Sequence, residues 1–180
     1  TGGKGAVLLM MKEHIFLIGF MGAGKSTIAA RLKEMTGAEV IEMDQEIERQ
    51  QGMAISAIFA EKGEPFFRSL ETQLLASMGQ RPASIVSCGG GAAMRQENVD
   101  LMKENGCIVL LTAAPETIYQ RVKDSQDRPV LNGNMNVEYI RDLMEKRRPY
   151  YEKAADLFVS TDKKTAEEIC REILSRLDTL

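Results

Sequence analysis

Eight consecutive residues, Gly19-Phe20-Met21-Gly22-Ala23-Gly24-Lys25-Ser26, carry the clearest chemistry in the chain. They fit G-x-x-x-x-G-K-[ST], a pattern in which backbone N–H groups wrap a phosphate, the lysine reaches the β- and γ-phosphates and the hydroxyl ligates Mg²⁺. The apolar run Ile15-Phe16-Leu17-Ile18 precedes it, and Ile28, Ala29, Leu32 and Met35 follow at helical spacing. A loop between strand and helix is thus expected, with the helix N-terminus adding its positive end to the attraction for an anion. Glycines at 22 and 24 admit backbone dihedrals that a Cβ would obstruct.

Four further groups of residues, two at strand ends and two within helices, could carry chemistry. Glu42 and Asp44 close a second apolar run. Two residues apart on a strand, they share a face, at the carboxyl end where open α/β sheets bind ligands. Asp44 is placed there to orient or deprotonate an acceptor hydroxyl; helix capping by Asp44 beside a solvated Glu42 is an equal reading. Cys88-Gly89-Gly90-Gly91 ends another apolar run, and three glycines allow closer approach of a ligand to bare backbone than an ordinary turn needs. Val137, Ile140, Met144, Arg147 and Tyr151 lie on one helical face, so Arg147 continues an inward stripe. Its planar fork suits a substrate carboxylate, and an internal salt bridge fits the same spacing equally. Arg148, roughly 100° around the helix, reads as solvated, and Pro149 is expected to kink or end the helix. Arg68 and Glu71, beside Phe67, Leu70 and Leu74, read as a surface ion pair.

Residues 123–136 form a long polar segment rich in Asp, Asn and Gly, a length that in a compact domain reads as a functional lid, with a plain surface excursion as the alternative. Within it Arg128-Pro129 supplies either an arginine that closes over ATP and stabilises charge on a transferred phosphoryl group, or an exposed loop cation. His14, the only histidine, stands at the start of the first strand and is given no catalytic role.

The elements that must hold these residues are legible as an alternation. Short apolar strands are expected near 13–19, 39–43, 84–88, 107–111 and 157–159, each followed by a polar or glycine-rich break and a helical pattern. Such alternation implies parallel strands with right-handed crossovers and helices on both faces, a three-layer α/β fold. Pro115, Asn136 and the capping box Thr165-Ala166-Glu167-Glu168 mark helix starts.

The chain has 180 residues, 44% hydrophobic and 27% charged, which suits one soluble domain. Lys+Arg 23 against Asp+Glu 26 leaves a net charge of -3, against a nucleic-acid partner. No apolar run has membrane-spanning length and no signal peptide is visible, so the cytosol is the expected location. Cys88, Cys107 and Cys170 lack CxxC spacing and read as free thiols. Residues 1–11 read as a cloning remnant or fusion linker, and 12–180 as the single domain.

The motifs together resemble the shikimate kinases: Gly19 through Thr27, then Asp44, Phe67-Arg68 with Glu71, Gly89-Gly90-Gly91, Arg128-Pro129, and Arg147-x-Pro149-x-Tyr151, in that family's order and approximate spacing. The resemblance implies a P-loop kinase fold with a five-stranded parallel sheet of order 2-3-1-4-5 and a lid at about 123–136. It implies transfer of the ATP γ-phosphoryl group to the 3-hydroxyl of shikimate, giving shikimate 3-phosphate in chorismate and aromatic amino-acid synthesis. It places ATP phosphates on Gly22, Ala23, Gly24, Lys25, Ser26 and Thr27, Mg²⁺ on Ser26, and Arg121 against adenine, with Lys164 near the second adenine-side segment. Shikimate would meet Asp44, Arg68, Gly90 and Arg147, with Lys25, Asp44 and Arg128 as the catalytic set. Members are usually monomers. The chain departs from the family at Glu42, where an aspartate is common, and at Arg148 and the second tyrosine of Tyr150-Tyr151. Two other readings compete: a small P-loop kinase acting on gluconate or a nucleoside monophosphate, and a nucleotide-binding switch, which the lack of a guanine-reading Asn/Thr-Lys-x-Asp motif disfavours.

Overall fold

Five short strands pair in parallel to build the sheet, and a computed structural model describes residues 13–123 and 136–178 around it. The strands are β1 (His14–Ile18), β2 (Glu39–Glu42), β3 (Ser84–Ser87), β4 (Gly106–Thr112) and β5 (Leu157–Ser160), in the order β2-β3-β1-β4-β5. β1 is central and buried along its whole length, with Ile15 opposite both Ile85 and Cys107. A strand covered on both faces reads as a continuous apolar run rather than an alternating one. The edge strand β5 alternates, Leu157 and Val159 inward and Phe158 and Ser160 outward.

Eight α-helices are described: α1 (Lys25–Thr36), α2 (Met43–Gln51), α3 (Ile55–Lys62), α4 (Glu64–Ser77), α5 (Gln96–Asn105), α6 (Pro115–Val122), α7 (Val137–Ala154) and α8 (Ala166–Leu177). They make the expected three layers. Ile15, Leu17, Val109 and Leu111 pack with Ile28 and Leu32 of α1 and Ile169 and Ile173 of α8. The alternate residues Phe16, Ile18, Ile108 and Leu110 pack on the other side with Ile47, Ile58, Leu75 and Met102 of α2 to α5. Helix α7 contributes Ile140 to the first core and Tyr151 and Ala154 to the second, so it crosses from one layer to the other.

The expected caps form. Asn136 Oδ1 accepts from the Tyr139 N–H at 2.7 Å, and Thr165 Oγ1 from the Glu168 N–H at 3.1 Å. Two expectations are corrected. Of the kink or end expected at Pro149, the end is overturned, because α7 runs through it to Ala154; the Glu145 carbonyl deprived of a donor lies on an exposed stretch. β2 stops at Glu42, so Asp44 lies in the first turn of α2 rather than on the strand.

His14 is a core histidine, with Nδ1 accepting from the Ser84 N–H at 3.0 Å and Nε2 facing the Met78 carbonyl at 2.8 Å. The cysteines are free thiols, and burial pushes Cys107 up to about 12 and Cys170 up to about 11. No described helix is long and apolar enough to cross a membrane.

Candidate active site

The phosphate loop leaves β1 at Gly19 and enters α1 at Lys25. Gly24 caps the helix in the left-handed region at φ 101, and Gly22 has φ 79 with its missing Cβ position 2.7 Å from Val122 Cγ1. Both positions therefore demand glycine, one for its dihedral and the other also for space. The Ala23 N–H donates to the Phe20 carbonyl at 3.0 Å, tightening the loop. Lys25 Nζ donates to the Gly19 and Phe20 carbonyls at 2.6 and 3.1 Å, while Ser26 and Thr27 are exposed at the start of α1.

This loop forms one wall of a cleft of about 280 Å³ whose other walls include Glu42, Asp44, Cys88 and Gly90. Asp44 gets there through the tight β2–α2 junction, with Glu42 at the cap position making no side-chain cap bond. The Asp44 side chain remains open to water at the cleft, yet protein atoms crowd its carboxylate. That crowding pushes its pKa upward against the opposing pull of Lys25. Water in reach limits the effect, so the carboxylate is the form expected at neutral pH.

Each glycine of the triplet after β3 makes room for a charged side chain. A Cβ on Gly89 would lie 3.1 Å from Asp44 Oδ1 and 3.1 Å from Glu71 Oε2; one on Gly90, 3.1 Å from Arg147 Nη1; one on Gly91, 2.5 Å from Arg68 Nη1. The triplet thus brings two carboxylates and two guanidiniums to one short stretch of backbone. The expected surface pair of Arg68 and Glu71 is corrected here: Glu71 is fully buried, and its Oε1 accepts from Arg68 Nη1 at 2.8 Å. Burial pushes Glu71 upward, opposed by Arg68. Glu71 Oε2 is buried with no hydrogen-bond partner, as is Arg147 Nη1. The Arg147 guanidinium lies over the Phe20 ring at 5.5 Å and forms no ion pair among the described residues. Buried polar atoms are ordinarily paired, so an unpaired donor at the cleft wall points to a ligand acceptor.

On the far side of the phosphate loop, Gly24, Thr27, Arg121, Thr161 and Lys164 line a second cleft of about 180 Å³. Arg121 Nη1 donates to the Gly22 carbonyl at 2.9 Å and to Thr161 Oγ1 at 3.3 Å, and Lys164 pairs with Glu172 at 3.3 Å. The two clefts share Gly24 and Thr27.

The family model described as Shikimate kinase matches residues 21–178. The chain belongs to the shikimate kinase family. A shikimate kinase from Dehalococcoides mccartyi is 41% identical, with 90% of this chain and 92% of the relative covered. One from Persephonella marina is also 41% identical, over 92% of this chain and 99% of the relative. Among solved structures, the shikimate kinase from Acinetobacter baumannii in complex with shikimate superposes with TM-score 0.86 at 34% identity, covering 93% of each chain.

Against what the shikimate kinase pattern implies, the geometry brings Lys25, Ser26, Asp44 and Gly90 around one cleft, sets Arg147 and Arg68 against the glycine triplet that borders it, and sets Arg121 and Lys164 in the neighbouring cleft. Arg128, residues 124–135 of the proposed lid and the segment 1–11 lie outside the described residues. Two residues named among the motifs have surroundings that the motif reading did not supply. Glu71 was visible as a partner of Arg68, but spacing of three does not distinguish a buried pair from a solvated one. Tyr151, read as a variation without consequence, is buried and donates its hydroxyl to the Gly90 carbonyl at 2.5 Å.

Proposed function

We propose that this chain phosphorylates the 3-hydroxyl of shikimate with ATP, yielding shikimate 3-phosphate for chorismate and aromatic amino-acid synthesis. The observation that carries the reading is Arg147, whose buried Nη1 has no hydrogen-bond partner while its guanidinium stands beside Gly90, itself a wall of the cleft that holds Lys25 and Asp44. A small anionic acceptor supplies the missing partner, and Arg68 offers a second guanidinium for the same carboxylate.

In this reading ATP phosphates lie on Gly22 through Thr27, and Arg121 and Lys164 lie on the adenine side. Lys25 exchanges its loop carbonyls for the β- and γ-phosphates and neutralises charge as the phosphoryl group moves. Asp44 meets the acceptor hydroxyl and orients it, taking its proton as the bond to phosphorus forms. Arg68, Gly90 and Arg147 hold the rest of shikimate. Arg128 closes from the lid onto ATP.

The donor set suits magnesium. Among the described residues no group of three or more His, Cys, Asp or Glu could hold a metal by itself, whereas Ser26, Glu42 and Asp44 offer oxygen beside the phosphate loop. A hard cation that keeps waters and binds chiefly through substrate phosphates needs no more than that. Bound there, it supplies charge neutralisation on the phosphate oxygens, with Ser26 as its direct ligand. We further place the enzyme in the cytosol as a monomer without nucleic-acid partners, a reading that rests on its net charge and family.

Coupled ADP release with Mg-ATP tests the proposal by comparing shikimate with quinate, gluconate and nucleoside monophosphates. Turnover with shikimate alone is expected. Faster turnover of gluconate or a nucleotide moves the chain to a different acceptor, and slow hydrolysis indifferent to every acid tested makes it a nucleotide-dependent switch.

A further inference from the structure

Tyr151 stands one helical turn after Arg147 on the same face of α7. It is buried, and its hydroxyl reaches a carbonyl 61 residues away, that of Gly90, at 2.5 Å. A trans peptide is planar, so a bond to the Gly90 carbonyl also fixes the N–H of Gly91 and the direction in which the backbone proceeds. The two glycines joined by that peptide face different arginines: Gly90 lies against Arg147 and Gly91 against Arg68. Glycine backbone is otherwise the freest in the chain. One hydrogen bond from a buried phenol therefore controls the plane that separates the two guanidiniums.

Neighbouring contacts hold the phenol to this task. The ring lies in the same apolar wall as Phe20, over which the Arg147 guanidinium sits at 5.5 Å. Burial favours the neutral phenol, which keeps its proton as a donor, and the adjacent Arg147 is the main opposing influence. The bonds Ala92 N–H to Gly89 carbonyl and Met94 N–H to Gly91 carbonyl, both 3.1 Å, close the loop on either side but leave the central Gly90 carbonyl to Tyr151.

We propose that Tyr151 is a positioning residue, acting through the Gly90–Gly91 peptide to set the spacing of Arg147 and Arg68 across the acceptor carboxylate. The proposal rests on the assignment of those arginines to a carboxylate. It makes Tyr151 a determinant of acceptor selectivity that touches neither substrate.

Tyr151→Phe keeps the ring and removes the donor. Expected in steady-state assays is a rise of roughly five- to twentyfold in KM for shikimate, from the loss of one buried hydrogen bond, with KM for ATP within about twofold of wild type. The ratio of kcat/KM between shikimate and its uncharged methyl ester should shrink by a similar factor, since the hydroxyl acts through the carboxylate. In an Arg147→Lys background the same substitution should add little. Gly91→Ala, which displaces Arg68 without touching the buried ring, should give the same selective loss and guards against a folding failure of the first variant. Equal rises in both KM values, an unchanged ester ratio, or full additivity with Arg147→Lys overturns the positioning role. Wild-type enzyme inactive on shikimate overturns instead the functional reading beneath it.

Discussion

Replacing Arg147 with methionine separates the cost of a functional charge from the stability of the fold. In the free protein its Nη1 has no hydrogen-bond partner and the side chain forms no ion pair among the described residues. What the protein loses is the interaction with the adjacent Tyr151 hydroxyl and the contact with the Phe20 ring at 5.5 Å, the latter worth about 0.5–1 kcal/mol for a partly exposed pair. Methionine retains an apolar stem in the same groove, and removing a half-buried cation returns part of its desolvation cost. The net change in stability is therefore within about 1 kcal/mol, or about 2–4 °C in Tm for a chain of this size. Binding is different. Loss of a desolvated carboxylate partner costs about 2–5 kcal/mol, which raises KM for shikimate by at least roughly 30-fold, while KM for ATP stays near wild type. Initial-rate kinetics over both substrates, paired with thermal unfolding of the free enzyme, give both quantities. A Tm that falls well beyond this range with an unchanged shikimate KM would falsify the reasoning and return Arg147 to a structural role.

Three other variants give further expected outcomes. Asp44→Asn lowers kcat by about 10²–10⁴, the range of general acid–base contributions, and abolishes an acid limb that lies above the ordinary aspartate range because crowding raises this carboxyl; a limb retained in the variant assigns it to another group. A raised folded pKa gives stability below the unfolded value that is lost as pH rises through the folded one, so Asp44→Asn should also unfold at higher temperature than wild type near neutrality, with the gap closing in acid. Glu46 shows the opposite sign: hydrogen bonds from Arg49 at 2.7 Å and Arg81 at 3.2 Å hold its carboxyl down to about 2. Glu46→Gln should therefore lose Tm at neutral pH and converge on wild type as the pH falls from the ordinary glutamate range toward 2, and parallel curves would refute the linkage. Arg121→Ala frees the Gly22 carbonyl from its 2.9 Å partner, and a loss of about 1–1.5 kcal/mol should appear as roughly a tenfold rise in KM for ATP alone, measured against an unchanged KM for shikimate.

The parts of this protein that were legible without coordinates are those encoded within a few consecutive residues. Gly19 through Ser26 announce a phosphate loop because dihedral freedom, an amine and a hydroxyl all fall in one turn of chain, and the structure places the left-handed Gly24 at the helix entry. Asn136 and Thr165 announce helix starts because a cap reaches only three residues ahead. Alternation of apolar runs with helical stripes predicts a parallel three-layer fold, but the strand order was reached only through the family likeness, since crossover helices of similar length serve several orders. Asp44 lines the cleft, but it opens α2 instead of ending β2 as its spacing from Glu42 suggested.

What only the tertiary structure decided are relations between distant segments. Spacing put Arg68 and Glu71 side by side, yet only the packing of α4 against the sheet buries Glu71 and leaves one of its oxygens unpaired. The glycine triplet predicted close approach by something, and the folded chain shows that Asp44, Glu71, Arg147 and Arg68 all crowd against it. Tyr151 had no meaning until β3 and α7 brought Gly90 within reach of its hydroxyl. Local motifs survive in sequence because sterics and short hydrogen bonds act over one or two turns of chain. The charges that recognise an acceptor are gathered by parallel strands whose neighbours lie far apart along the chain, and their juxtaposition exists only when the sheet has closed.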